Sequence, residues 1–193
     1  MANPTRIAKG DGGFTLVELL VYIFLAVVVL TIVGSVLINS LRAENQVRDA
    51  AQSNSTAQLV AESLGQGIRN ASAVEVTVPS AGSILLRTRS IDRSEAGGWF
   101  CHAWLFSGGE LRTARSAAAI PAPDAATAAS WTLLATDVEA VGAAPLLAFG
   151  ANERSVDVTL TVGVGEGIPV LLDTVMVAQQ PIPATGRVTA PCF

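Results

Sequence analysis

A single carboxylate interrupts the longest apolar stretch of the sequence. Glu18 lies within GGFTLVELLVYIFLAVVVL, which runs from Gly12 to Leu30 and is otherwise almost entirely aliphatic or aromatic after its two glycines. An ionised carboxylate in hydrocarbon costs about 2.5 to 3.5 kcal/mol on insertion scales, so a simple membrane anchor has no use for one. We therefore predict that Glu18 serves in assembly rather than in anchoring.

Two cysteines and the only histidine are the next candidates for chemistry. Cys101 and Cys192 could close a disulfide outside the membrane that ties the C-terminal tail to the middle of the domain; the alternative is two unpaired buried thiols. His102 follows Cys101 directly, and neighbouring residues of a strand point to opposite faces. One histidine with two cysteines matches no zinc spacing. The sequence therefore predicts no metal site, no cofactor and no enzymatic activity.

Three arginines form the best candidate for a recognition patch. Arg87 and Arg89 are two residues apart, and Arg93 follows shortly before the segment GGWF at residues 97–100. Arginines at this spacing share one face of a strand and could meet phosphates. The alternatives are that these arginines form a solvated strand face or pair with acids such as Asp92 and Glu95. We keep DNA contact as a minor alternative.

The charge balance argues against capture of nucleic acid over a broad surface. The chain has 12 Lys and Arg residues against 16 Asp and Glu residues, and without residues 1–13 these numbers become 10 and 15. Lys9 is the only lysine. A covalently linked pilus of the sortase type needs lysine for its linkages, so this class is excluded as well.

A long helix is predicted to position Glu18. Residues 14–41 are long and apolar enough for one transmembrane span, and the polar, slightly basic residues before them favour a cytoplasmic N-terminus. Residues 42–72 continue without proline and become amphipathic. The predicted apolar stripe recurs at spacings of three and four and consists of Val47, Ala50, Ala51, Ala57, Val60, Ala61, Leu64, Ile68 and Ala71.

The remaining residues, 73–193, are predicted to form a β-rich domain. Alternating patterns predict strands at 74–78, 83–89, 99–106, 110–115, 155–162 and 169–177. Alternation of this kind is typical of an antiparallel sheet with one covered face, and the amphipathic helix is its expected cover. The Ala- and Pro-rich residues 116–130 are predicted to be an exposed loop that divides the sheet region. The predicted fold class is α+β.

The N-terminal sequence resembles the class III signal of type IV pilins and type II secretion pseudopilins. The resemblance rests on GGFTLVELLVY at residues 12–22, preceded by a short basic leader. It implies that a prepilin peptidase cuts after Gly13 and methylates the new N-terminus at Phe14. Glu18 then becomes the fifth residue of the mature chain, where it could pair with the N-terminal amine of a neighbouring subunit.

A weaker resemblance extends along the rest of the chain. The segments LVAESLGQGIRNASAVEV at residues 59–76 and WTLLATDVEAVGAAPLLAFG at residues 131–150 are similar to parts of the larger minor pilins and J-type pseudopilins. The expected function is that of a minor pilin or pseudopilin in a filament. Its expected partners are prepilin peptidase, other pilins or pseudopilins, the cytoplasmic membrane and the assembly platform.

Two other functions stay open at this stage. The chain could be a membrane-anchored binding domain outside the cytoplasm that keeps its anchor, or a competence-pilus subunit that contacts DNA. The first alternative predicts no cut after Gly13, and the second predicts salt-sensitive binding that depends on Arg87 and Arg89. No motif separates a surface pilus from a secretion system.

Overall fold

Two units divide the chain, residues 1–45 and residues 46–193. The structure is a computed structural model and describes residues 15–92, 98–150, 153–165, 167–181 and 188–193. Its helices and strands, in chain order, are α1 (Leu16–Arg69), β1 (Ala71–Thr77), β2 (Ser83–Asp92), β3 (Gly98–Ser107), β4 (Glu110–Ser116), α2 (Ala125–Ser130), β5 (Thr132–Ala135), β6 (Val138–Ala140), β7 (Leu147–Phe149), β8 (Ser155–Val162) and β9 (Val170–Val177).

Helix α1 runs unbroken for 54 residues because no proline interrupts it. Its end differs from the expectation of a helix to about residue 72, since α1 stops at Arg69 and β1 begins at Ala71. Pairing of β1 with β2 replaces the last helical turn, and the Ser72 hydroxyl donates to the Arg89 carbonyl across that pair. Backbone pairing with a neighbouring strand outweighs the local helical period here.

Only the later part of the predicted apolar stripe is buried. Ala57, Val60, Leu64 and Ile68 lie in the main core, whereas Val47 is 69% exposed. The expected burial of Ala50 and Ala51 is also wrong, because both are exposed. Alanine carries little apolar area, so its exposure costs little.

The first sheet is an antiparallel meander in the order β1-β2-β3-β4-β5. Helix α1 covers one face, where Trp104 is fully buried and donates from its indole N–H to the Ser63 hydroxyl. The expectation of one solvated face is wrong for this sheet. A second cluster covers the opposite face and contains Leu85, Cys101, Ala103, Leu105, Ile120, Trp131 and Cys192.

The second sheet is built around β8. Strands β6 and β7 pair with successive parts of one β8 edge, and β9 pairs with the other edge as the predicted hairpin partner. The alternation predicted for β8 is confirmed, because Val156, Val158, Leu160 and Val162 are all fully buried. These side chains join the core beneath α1. The predicted α+β arrangement, a long helix packed on antiparallel sheets, is therefore confirmed.

The segment at residues 116–130 is more ordered than an exposed loop. It contains α2, in which no residue is fully buried, and the Asp124 side chain caps this helix by accepting from the Thr127 N–H at 2.8 Å. Ile120 is buried against the first sheet. Alanines favour a helix once a cap satisfies its first N–H groups. Because β5 then joins the first sheet, the division between the sheets falls after β5.

Candidate functional site

Glu18 lies in the first turn of α1, where a local hydrogen bond fixes its backbone. Its N–H donates to the Thr15 hydroxyl at 3.3 Å, and the Leu19 N–H donates to the Thr15 carbonyl at 3.1 Å. The spacing Thr-x-x-Glu is that of a capping box. Sequence reasoning missed this role, although the spacing was visible in the sequence. A carboxylate in a first turn also interacts favourably with the helix dipole.

The carboxylate of Glu18 is exposed. Among the residues that the structure describes, none forms an ion pair with it. Gly13 and Phe14, the two residues of the predicted processing site, lie outside the described residues. The placement of Glu18 is therefore the part of the predicted site that the structure describes.

The surroundings of Glu18 are apolar and exposed. Leu16 is 79% exposed and Leu30 is 70% exposed. Within the described part of the chain, α1 is the helix long and apolar enough to cross a membrane. Two hydroxyls of its apolar half bond to the helix backbone, because Thr31 donates to the Val27 carbonyl and Ser35 to the Ile32 carbonyl, both at 2.8 Å. Such bonds suit a helix in lipid, where water cannot pair with polar groups.

Cys101 and Cys192 form a disulfide that joins residues 91 positions apart. Both cysteines are 1% exposed and lie in the cluster on the far side of the first sheet. The Ile120 N–H donates to the Cys192 carbonyl at 3.2 Å. The disulfide therefore holds the C-terminal tail against β3, and the hydrogen bond attaches the segment before α2 to that tail.

Arg87 and Arg89 share a face of β2, and that face is covered. Arg87 forms an ion pair with Glu75, donates to the Ile120 carbonyl at 3.0 Å and lies 5.3 Å from the centre of the Phe193 ring. These contacts secure the C-terminal tail over the sheet. They do not support a patch open to phosphates.

Arg89 is 5% exposed and lies deeper than Arg87. Its guanidinium donates to the Ser72 hydroxyl at 3.1 Å and lies 3.2 Å from the centre of the Trp99 ring. Burial lowers the pKa of Arg89. Arg93, the third arginine of the predicted patch, lies outside the described residues. The two arginines that are described thus have structural roles.

His102 points away from the disulfide, to the α1 side of β3. Its Nε2 lies 2.7 Å from the Thr113 hydroxyl, and its ring is 3.7 Å from the Trp104 ring, centre to centre. Burial, together with the nearby positive charge of Arg115, lowers the pKa of His102 to about 4. Across the described residues, no group of His, Cys, Asp and Glu is placed to hold a metal ion.

Comparison with protein families shows that residues 8–34 match the prokaryotic N-terminal methylation motif. Comparisons with curated proteins and with solved structures give no match. The matched residues include Gly13, Phe14 and Glu18 and extend into the exposed apolar half of α1. The chain therefore carries the class III N-terminal methylation signal, consistent with the type IV pilin and pseudopilin family.

Proposed function

We propose that the chain is a prepilin that is processed to a minor pilin or pseudopilin and joins a type IV pilus-like filament through α1. The observation that carries this proposal is the methylation motif at residues 8–34, which leads into a helix with exposed apolar side chains. A subunit of this kind is structural, and we assign it no catalytic role.

Processing is the first step of this function. Residues 1–13 form a cytoplasmic leader, and prepilin peptidase cuts between Gly13 and Phe14 and methylates the amine of Phe14. The basic residues Arg6 and Lys9 favour a leader on the cytoplasmic side. The cut leaves a charged amine at the membrane surface with no polypeptide ahead of it.

Pairing of Glu18 with that amine on a neighbouring subunit is the second step. The carboxylate is exposed in the first turn of α1, in apolar surroundings. Neither charge is stable alone in hydrocarbon, so each favours a position where it meets the other. Because only one axial displacement between two helices brings the charges together, the pair supplies register as well as affinity.

The proposed assembly also gives a role to each of the other segments of the chain. Residues 14–41 cross the cytoplasmic membrane before assembly and lie in the filament core afterwards. Helix α1 then continues to Arg69, and the strands from Ala71 onward form the head outside the cytoplasm. The head has short, irregular middle strands, since β6 and β7 have three residues each. This irregularity favours a minor subunit over an abundant major one. The assembly platform and other pilins are its partners.

Two substitutions separate processing from assembly. We expect Gly13→Val to leave the full-length precursor in the membrane, because a branched side chain is placed directly at the cut. We expect Glu18→Gln to be cut normally and to remain in the membrane, because it keeps the shape of the side chain and removes its charge. The measurement is the distribution of precursor, processed protein and filament-bound protein in cells that contain the peptidase and the assembly system.

Glu44→Gln is the matched control. It removes the same charge from the polar part of α1 and should be cut and assembled like the unchanged protein. Assembly of Glu18→Gln at the unchanged level would contradict the pairing role. A precursor that is never cut in such cells would contradict the whole proposal.

A further inference from the structure

A cleft with a mixed polar and apolar lining opens between α1 and the first sheet. Its volume is about 300 Å³. The helix contributes Glu62, Ser63 and Gln66, Asn70 follows its last residue, and the strands contribute Ser90, Phe100, His102, Arg115 and Leu134. The cleft lies entirely within the unit of residues 46–193, so it does not depend on the filament function proposed above.

Arg115 brings a positive charge to this cleft. Its guanidinium carbon lies 4.5 Å from the centre of the Phe100 ring, which orients the flat group. Among the described residues no carboxylate forms an ion pair with Arg115, whereas Arg87 pairs with Glu75 and Arg112 with Glu110. Its charge is therefore available to a ligand.

Ser90 supplies an independent sign of a ligand. It is 1% exposed, lines the cleft, and its hydroxyl has no hydrogen-bond partner. Buried polar groups are nearly always paired, so an unpaired hydroxyl on a residue that lines the cleft indicates a missing partner. The Ser63 hydroxyl adds a second donor, since it accepts from the Trp104 indole at 2.9 Å and keeps its own hydrogen.

The hydrogen-bond network also fixes the form of His102. The Thr113 hydroxyl donates to the Ala103 carbonyl at 2.9 Å, so its one hydrogen is used. It must therefore accept from His102 Nε2, 2.7 Å away. With a pKa of about 4, His102 is neutral near pH 7, and it adds no second positive charge to the cleft.

We propose that this cleft binds a carboxylate group, which pairs with the Arg115 guanidinium and accepts a hydrogen bond from the Ser90 hydroxyl. A guanidinium matches a carboxylate in shape and can donate two parallel hydrogen bonds to it. Glu62 lines the same cleft, and its negative charge repels a ligand with two negative charges more than a ligand with one. This difference favours a carboxylate over a phosphate dianion.

The carboxylate could come from the C-terminus of another polypeptide or from a small organic acid. The test uses the full-length chain in detergent micelles, labelled with ¹⁵N-histidine. Because His102 is the only histidine, the spectrum reports on the cleft with one imidazole. The probes are N-acetylglycine, which imitates a chain terminus, its neutral amide, acetate and inorganic phosphate.

We expect N-acetylglycine to shift the His102 signals in a saturable way and the amide to leave them unchanged. Tighter binding of N-acetylglycine than of acetate would identify a polypeptide terminus, and equal binding would identify a small acid. No shift with either carboxylate, an equal shift with the amide, or tighter binding of phosphate would overturn the proposal.

Three variants assign the binding to named residues. Arg115→Gln should weaken N-acetylglycine binding about tenfold or more, because a charge-assisted bond is lost. Arg42→Gln, the matched control on an exposed stretch of α1, should bind normally. Ser90→Ala should weaken binding about fivefold without lowering stability, because its hydroxyl has no partner in the protein. Unchanged binding in Arg115→Gln would contradict the assignment.

Discussion

The two halves of α1 contain the same types of apolar side chain with opposite exposure. Val60, Leu64 and Ile68 are fully buried in the core, whereas Leu16 is 79% exposed and Leu30 is 70% exposed. The second half thus uses its apolar residues to fold the head. The first half has no such cover among the described residues, and we propose that lipid and then neighbouring subunits supply it. Apolar composition alone does not distinguish these two uses.

Paired leucine substitutions test this difference with the largest expected effect. Leu64→Ala removes a fully buried side chain and should lower the free energy of unfolding of the head by about 2 to 5 kcal/mol. Leu30→Ala removes an exposed one and should change it by less than about 0.5 kcal/mol. The measurement is denaturant unfolding in micelles, followed by tryptophan fluorescence. Equal losses of unfolding free energy in the two variants would contradict the difference in burial between the two halves of α1.

The disulfide provides a second test, confined to the head. The double variant Cys101→Ala, Cys192→Ala should lose about 2 to 5 kcal/mol of unfolding free energy, because the cross-link no longer restricts a long loop of the unfolded chain. Chemical reduction of the unchanged protein serves as the control and should produce a similar loss. If neither treatment lowers the free energy of unfolding, the disulfide is not needed to hold the C-terminal tail on the head.

Two glycines of α1 sharpen the comparison further. A Cβ at Gly67 would overlap the Trp104 ring, whereas a Cβ at Gly34 would meet nothing within 4 Å. Gly67→Ala should therefore destabilise the head by about 1 to 3 kcal/mol by displacing the tryptophan. Gly34→Ala should leave head unfolding within about 0.5 kcal/mol of the original value. A harmless Gly67→Ala would mean that Trp104 does not pack this closely on α1.

His102 predicts an effect that depends on pH. Its pKa is lowered from 6.5 to about 4 by burial and by Arg115, so between these values the unfolded chain binds the proton and the folded chain does not. Stability from this group is present above pH 6.5 and falls with decreasing pH, by up to about 1.4 kcal/mol per unit. His102→Gln should remove this dependence. Unfolding curves at a series of pH values provide the measurement, and a flat profile would contradict the prediction.

The regular elements were predictable from the sequence because their periods are strong. The alternation of Val156, Val158, Leu160 and Val162 predicted both β8 and its buried face, and the pattern of Val60, Leu64 and Ile68 predicted the packed part of α1. Strands β6 and β7 were missed because three residues are too few to show a period. The cover on the far side of the first sheet was missed because it depends on a distant segment, the tail held by Cys192.

The candidate sites also differ in whether they could be recognised from the sequence alone. Glu18 was identifiable because a carboxylate in an apolar stretch is costly and therefore conspicuous. The structural roles of Arg87 and Arg89 were not, since strand spacing predicts a shared face but not which segments cover that face. The cleft at Arg115 was missed entirely, because its residues come from α1 and four strands. No short stretch of sequence contains this arrangement.

The measurement that tests the central claim most directly is the intact mass and N-terminal fragmentation of the protein recovered from its native membrane. The account predicts a chain that begins at Phe14 and carries one added methyl group. Glu18 would then have the amines of neighbouring subunits available to it. A chain that still carries residues 1–13, in cells that contain the peptidase, would contradict the account.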